Sequence, residues 1–195
     1  NHTGETLTDL VLAVEPNLWW QVFALDRITV DGQVVENYAL DGQRLEVPLA
    51  SPLAPLETVT LEVQFRLALP YIEIDDYEPI IRKQLFGYSF RQTNLLDWYP
   101  FIVPYRPGEG WLLREENPGG YGEHLVYDAV DFDVTLRFIE TPIPVVAASG
   151  PAVALEDGFR YRLGQARDFV FSISSDFQVE QRDVDGVTIY SYYFP

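Results

Sequence analysis

The sequence predicts an all-β protein, an antiparallel β-sandwich, and three observations carry that expectation. Apolar and polar residues alternate over short runs rich in Val, Ile, Tyr and Phe, which is the two-residue period of a half-buried strand. Four Asp-Gly pairs, Asp31-Gly32, Asp41-Gly42, Asp157-Gly158 and Asp185-Gly186, fall between or beside those runs. Asp-Gly supplies the positive φ angles that a tight hairpin turn requires. Helical periodicity is nearly absent, and short strands punctuated by turn signals fold as packed antiparallel sheets.

In chain order, strands are expected at Leu10 to Val14, Ile28 to Val30, Val34 to Tyr38, Leu45 to Pro48 and Val59 to Leu67. The pattern returns at Val130 to Phe138, Val145 to Ala148, Phe159 to Leu163, Phe169 to Ile173, Phe177 to Gln181 and Val187 to Tyr193. At most one short helix is expected, over Glu78 to Leu85, where Pro79 suits a first turn and Ile80, Ile81, Gln84 and Leu85 form a partial stripe. From Asn94 to Gly122 the chain makes a long excursion. Pro100, Pro104, Pro107, Pro118 and five Gly interrupt Trp98, Tyr99, Phe101, Tyr105, Trp111 and Tyr121. Its aromatic density predicts an ordered loop packed on the sandwich. With no internal repeat and no break in composition, residues 1–195 are expected to form a single domain.

Charge and composition exclude several function classes. Thirty acidic residues against thirteen basic ones give a net charge of −17, spread along the chain. No nucleic acid partner is expected, because phosphate binding needs clustered Lys and Arg, and no anionic membrane surface is expected either. The chain has no Cys, hence no disulfide, thiol nucleophile or thiolate metal site. Only two His, His2 and His124, are present; a catalytic zinc takes two or three imidazoles held rigidly, and His2 is expected at a frayed end. No metal ligands and no catalytic residues are therefore assigned. The absence of any Met, even at position 1, predicts an excised or processed piece of a longer protein.

The remaining clusters have ordinary readings. Glu73, Asp75, Asp76 and Glu78 offer oxygens to a hard cation, yet they alternate with Tyr71, Ile72 and Ile74 as on the solvated face of a strand. Glu123 and His124 beside Tyr127 and Asp128 form an acid/base set on paper; a lone His is more often a hydrogen-bonded structural residue. No Ser lies in a Gly-x-Ser-x-Gly elbow. Trp19-Trp20 and Trp98-Tyr99 suit either stacking on sugar rings or core packing.

Several motifs in order point further. They are Phe86-Gly87-Tyr88-Ser89-Phe90-Arg91-Gln92-Thr93-Asn94-Leu95-Leu96-Asp97-Trp98-Tyr99-Pro100, Gly122-Glu123-His124-Leu125-Val126-Tyr127-Asp128 and Asp131-Phe132-Asp133-Val134. Val145-Val146-Ala147-Ala148-Ser149-Gly150, Ala166-Arg167-Asp168-Phe169-Val170-Phe171-Ser172 and Val184-Asp185-Gly186-Val187-Thr188 follow. Together they resemble the N-terminal domain of aminopeptidase N-like gluzincin zinc metallopeptidases, most closely divergent bacterial members, over nearly the whole chain.

The resemblance implies a saddle-like β-sandwich that is non-catalytic and packs on its own downstream catalytic domain. That second domain carries the His-Glu-x-x-His helix and the zinc; this chain lacks the motif and is expected to need no cofactor itself. In the family, a loop of the N-terminal domain offers a Gln or Glu to the α-amine of the peptide substrate. By position, Gln92 is the candidate substrate-binding residue and Asn94 the second; Arg91 beside them puts a cation where an ammonium would bind. Turn hydrogen bonding is the structural alternative for both residues. The resemblance also favours a secreted or cell-envelope parent, and an isolated domain with a bared docking face is expected to self-associate. The alternative function is a free-standing binding module for carbohydrate or a surface protein, which an exposed row of Trp19, Trp20, Trp98 and Trp111 would mark. A hydrolase using His124 with a carboxylate and a Ser ranks last.

Overall fold

The computed structural model describes residues 1–72, 85–113, 128–139 and 141–195. It is all-β, built of antiparallel sheets, with no helix of seven or more residues among the described residues. The helix expected over Glu78 to Leu85 lies, apart from Leu85, outside the described residues. The chain gathers into two compact units, each assembled from two stretches: Asn1–Pro70 with Asp97–Asp128, and Tyr71–Leu96 with Ala129–Pro195.

The first unit contains β1 (Leu7–Ala13), β2 (Phe23–Val30), β3 (Gln33–Val34), β4 (Ala39–Asp41), β5 (Arg44–Leu53) and β6 (Leu61–Leu67). It skips β7 (Phe86–Tyr88) and β8 (Thr93–Leu95), then takes in β9 (Phe101–Ile102), β10 (Tyr105–Arg106) and β11 (Gly110–Trp111). One sheet runs β4-β5-β1-β9 and the other β3-β2-β6. Leu10, Leu12 and Val14 from the first sheet meet Ile28 from the second, with Leu45 and Val47 beside them and Phe23, Leu25, Leu61 and Val63 around the rim. This is the shared core of a sandwich.

The intervening β1 residues, Val11 and Ala13, point to the opposite face and are covered by Phe101, Val103, Trp111 and Leu113. Burial on both faces explains why residues 10–14 read as an unbroken apolar run rather than an alternation. The described part of the aromatic excursion is thus ordered and packed, as its composition predicts. Tyr105 and Trp111 pair across the β10–β11 ladder with rings 5.1 Å apart, and the Tyr105 hydroxyl donates to Glu5 Oε2 at 2.7 Å.

Two sequence expectations change here. The strand expected from Val34 to Tyr38 is broken, because the alternation spans a crossover. Val35 N–H closes the β2–β3 hairpin by donating to the Ile28 carbonyl at 3.1 Å, and the chain then leaves for the other sheet, where β4 pairs with β5. The amino terminus is tied rather than frayed: Asn1 Nδ2 donates to the carbonyls of Glu5 and Leu53 at 2.8 and 2.9 Å.

The second unit contains β7 and β8 with β12 (Val130–Arg137), β13 (Val145–Ala148), β14 (Ala152–Leu155), β15 (Gly158–Ala166), β16 (Phe171–Ser174), β17 (Gln178–Val184) and β18 (Val187–Tyr193). Its sheets run β13-β16-β8-β7 and β12-β15-β14, with β17-β18 as a separate ribbon. An aromatic cluster joins the two larger sheets. Phe169 lies 5.5 Å from Tyr161, 5.2 Å from Phe171 and 5.7 Å from Phe132, centroid to centroid. These are offset and edge-on contacts of the favoured kind. Tyr161 is 1% exposed and its hydroxyl has no hydrogen-bond partner among the described residues; burial pushes its pKa up to about 12.

Three of the Asp-Gly pairs supply left-handed backbone at a hairpin turn. Asp31 and Gly32 have φ of 48° and 78°, Asp185 and Gly186 of 50° and 81°, and Gly42 of 52° opens the β4–β5 turn. Asp157-Gly158 acts differently. Leu155 pairs with Gly158, so the turn residues are Glu156 and Asp157, and Gly158 already belongs to β15. Its glycine is required because a Cβ there would overlap the Leu136 backbone carbonyl. Accordingly, Gly158→Ala is expected to cost about 3 kcal/mol, from overpacking against backbone, whereas Gly32→Ala, which meets nothing within 4 Å, costs about 1–2 kcal/mol of backbone strain. Denaturant unfolding of the two variants checks the order.

Across β12 and β15, Asp133 accepts from Arg160 and, at 3.3 Å, from Arg162. Chiefly through the Arg160 hydrogen bond, its carboxyl is drawn down to about 2. A carboxyl whose pKa falls on folding adds stability above its unfolded pKa and loses it as pH drops through the folded value. Asp133→Asn is therefore expected to lower Tm modestly near neutral pH, as exposed ion pairs do. The gap to the parent chain should close between about pH 4 and about pH 2, which thermal unfolding at matched ionic strength reads directly.

Candidate functional site

The residues singled out for substrate contact sit on the β7–β8 hairpin of the second unit. Tyr88 pairs with Thr93, leaving Ser89 to Gln92 as the turn. Ser89 fastens it, since its N–H donates to the Gln92 carbonyl at 2.8 Å and its hydroxyl oxygen accepts from the N–H groups of Arg91 and Gln92 at 3.3 Å each. A serine hydroxyl holding its own turn in this way is the local reason the segment folds back so tightly. From β16, buried Ser174 donates to the Arg91 carbonyl at 2.6 Å and accepts from Asp176 N–H at 3.0 Å. The turn is thereby anchored to the strand that crosses the same sheet.

Gln92 is half-buried and its side-chain amide forms no hydrogen bond with the described residues. Asn94 follows on β8, opposite Ser172. Its Oδ1 accepts from the Ser172 hydroxyl at 2.8 Å, so part of its capacity is spent on cross-strand bonding of the kind that stabilises sheets. Arg91, the cation expected to compete with an ammonium, has its guanidinium carbon 4.3 Å from the ring centroid of Phe194. Tyr71, Tyr88 and Phe90, on and beside the hairpin, are 53%, 42% and 69% exposed; the first two rings meet edge-on at 5.3 Å. Sequence reasoning missed both Phe194 and this aromatic group, because nothing local links Phe194 to the turn.

The acidic run Glu73, Asp75, Asp76 and Glu78, and Glu123, His124 and Tyr127, all lie outside the described residues. Among the described residues, no three His, Asp or Glu side chains are grouped to hold a metal ion. The four tryptophans form no exposed row. Trp20 is 86% exposed, Trp111 packs in the core of the first unit, and Trp98 meets Tyr99 edge-on at 5.0 Å.

No protein-family model matches the chain, and no curated protein matches it. Solved structures do. The M1 zinc metallopeptidase from Deinococcus radiodurans matches over 95% of this chain and 39% of its own, with a TM-score of 0.51 and 16% identity. A mutant M1 zinc metallopeptidase from the same organism, bound to a Tyr-Ser-Ala substrate, covers the same shares at a TM-score of 0.48 and 15% identity. The chain thus spans about two-fifths of the length of these structures, and what it shares with the first of them is the fold.

The Ser174 anchor is testable. Ser174→Ala leaves the Arg91 carbonyl and the Asp176 N–H without this partner. It is expected to cost about 1–2 kcal/mol, seen as a lowered denaturation midpoint and faster hydrogen exchange at Asp176.

Proposed function

We propose that this chain is the N-terminal, non-catalytic β domain of an aminopeptidase-type zinc metallopeptidase, packed on its own downstream catalytic domain. One observation carries the reading: the fold of an M1 zinc metallopeptidase matches nearly all of this chain and a minor part of the matched one. The absence of His-Glu-x-x-His from the sequence supports the division of labour. Zinc, when bound by the other domain, would polarise the scissile carbonyl and activate water. This chain would contribute positioning.

In this reading the β7–β8 turn presents Gln92 to the peptide substrate. Its Oε1 accepts from the free α-ammonium and so sets the amino end of the peptide against the catalytic centre, an orienting role that raises rate without touching the reacting atoms. Asn94, bonded to Ser172, is the second polar group and braces β8, the strand that follows the turn.

The 195-residue chain alone, supplied with zinc, is expected to release no product from aminoacyl chromogenic substrates. The parent protein carrying a His-Glu-x-x-His segment is expected to do so, with zinc retained on dialysis. In that parent, Gln92→Ala should lower kcat/KM for free-amine peptides about 10- to 100-fold, the worth of one hydrogen bond to a charged group. Hydrolysis by the isolated chain, or a parent without peptidase activity, overturns the proposal.

A further inference from the structure

Most arginines of this chain that the structure describes are already engaged. Arg44 pairs with Glu46, Arg66 with Asp26, Arg106 with Glu109, Arg137 with Asp157, and Arg160 and Arg162 with Asp133. Arg91 makes no ion pair with the described residues, in a protein with thirty carboxylate side chains. It is nevertheless held in place. Its carbonyl is bonded by Ser174, its N–H by Ser89, and its guanidinium lies over Phe194, whose ring is 4.9 Å from Phe177. A guanidinium held over a ring through its central carbon still has several N–H donors with which to meet a further partner. Next along the turn is Gln92, whose side-chain amide is unbonded among the described residues, and the hairpin also carries the exposed Tyr88 and Phe90, with Tyr71 bridged to Tyr88.

We infer that the head of the β7–β8 hairpin is a carboxylate-recognition site for peptides, with Arg91 as the residue that grips the carboxylate and Phe194 as the platform that orients it. A guanidinium fixed on an aromatic ring matches the two oxygens of a carboxylate with little ordering left to do on binding. The neighbouring aromatic rings suit the body of a peptide rather than a bare inorganic anion. The choice of a peptide as ligand rests on the function proposed above; the site itself rests on the hairpin geometry. It also gives the cation next to Gln92 a use, since a guanidinium that would repel an ammonium selects an acid group at the adjoining position.

The test uses the 195-residue chain and three peptides followed by NMR: Glu-Ser-Ala with an amidated C-terminus, Gln-Ser-Ala as the free acid, and Gln-Ser-Ala amidated. Concentration-dependent shifts are expected at the Arg91 Nε–H and the Ser89 to Gln92 amides with a carboxylate-bearing peptide and not with the one that lacks a carboxylate. Response to the first peptide assigns the acidic side chain as ligand, and response to the second assigns the C-terminus. Arg91→Gln is expected to abolish the shifts, and Phe194→Leu to weaken the affinity about tenfold. Equal responses to all three peptides, no response to any, or binding that survives Arg91→Gln overturns the inference. The peptide comparison needs no variant, so it stands even if a substitution fails to fold. Because binding is read on this chain alone, a parent without peptidase activity would sink the proposed function and leave the carboxylate site intact.

Discussion

The first unit depends on one constraint, the burial of β1 on both faces. Leu10, Leu12 and Val14 face the second sheet, while Val11 and Ala13 face the other way, and all five are nearly inaccessible to solvent. A strand so placed requires two covers. The β3-β2-β6 sheet provides one. The other comes from the excursion around Phe101 to Leu113, which explains why a segment so broken by Pro and Gly is so rich in large side chains. Each fully buried aliphatic side chain is worth about 1.5–3 kcal/mol, so the unit gains more from this strand than from any surface ion pair, whose worth is about 0–1 kcal/mol.

The second unit solves the same problem with rings. Phe132, Tyr161, Phe169 and Phe171 come from three strands and a loop, and together form the contact between its two larger sheets. The same sheet carries the β7–β8 hairpin, with β16 supplying both Phe171 to the aromatic cluster and Ser174 to the Arg91 turn. The fixed geometry of the candidate site follows from this sharing. A turn stapled to a strand that is itself locked in the core has little freedom left, which is the condition under which a single amide or guanidinium can discriminate between ligands.

Much of the fold was legible in sequence, and the parts that were not share a cause. Val145–Ala148 and Val187–Tyr193 match their predicted bounds, since short runs of strand-forming residues with adjacent turn signals mark them. The strands β7 to β11 run for only two or three residues each, too short for a period to register, and β14 is a stretch of Ala152 to Leu155 that is largely exposed and lacks an inward-facing pattern. Asp157-Gly158 was legible as a turn for the wrong reason, because crowding by Leu136 is a matter of tertiary structure. At the candidate site, the Ser89 turn was reachable through its residue types. The seating of Arg91 on Phe194 was not, because the contact joins residues far apart in the chain.

The two units are interleaved along the polypeptide, with crossings after Pro70, Leu96 and Asp128, and this has a consequence for synthesis and for inheritance. During translation, which proceeds from the amino terminus, β8 leaves the ribosome well before Phe171–Ser174, the strand it pairs with. It must wait while the closing stretch of the first unit is made. At the level of the gene, no single continuous segment encodes either unit without part of the other. Recombination that cuts anywhere between the two ends severs at least one of them, so the 195 residues are expected to be passed on as one block, whatever they are joined to.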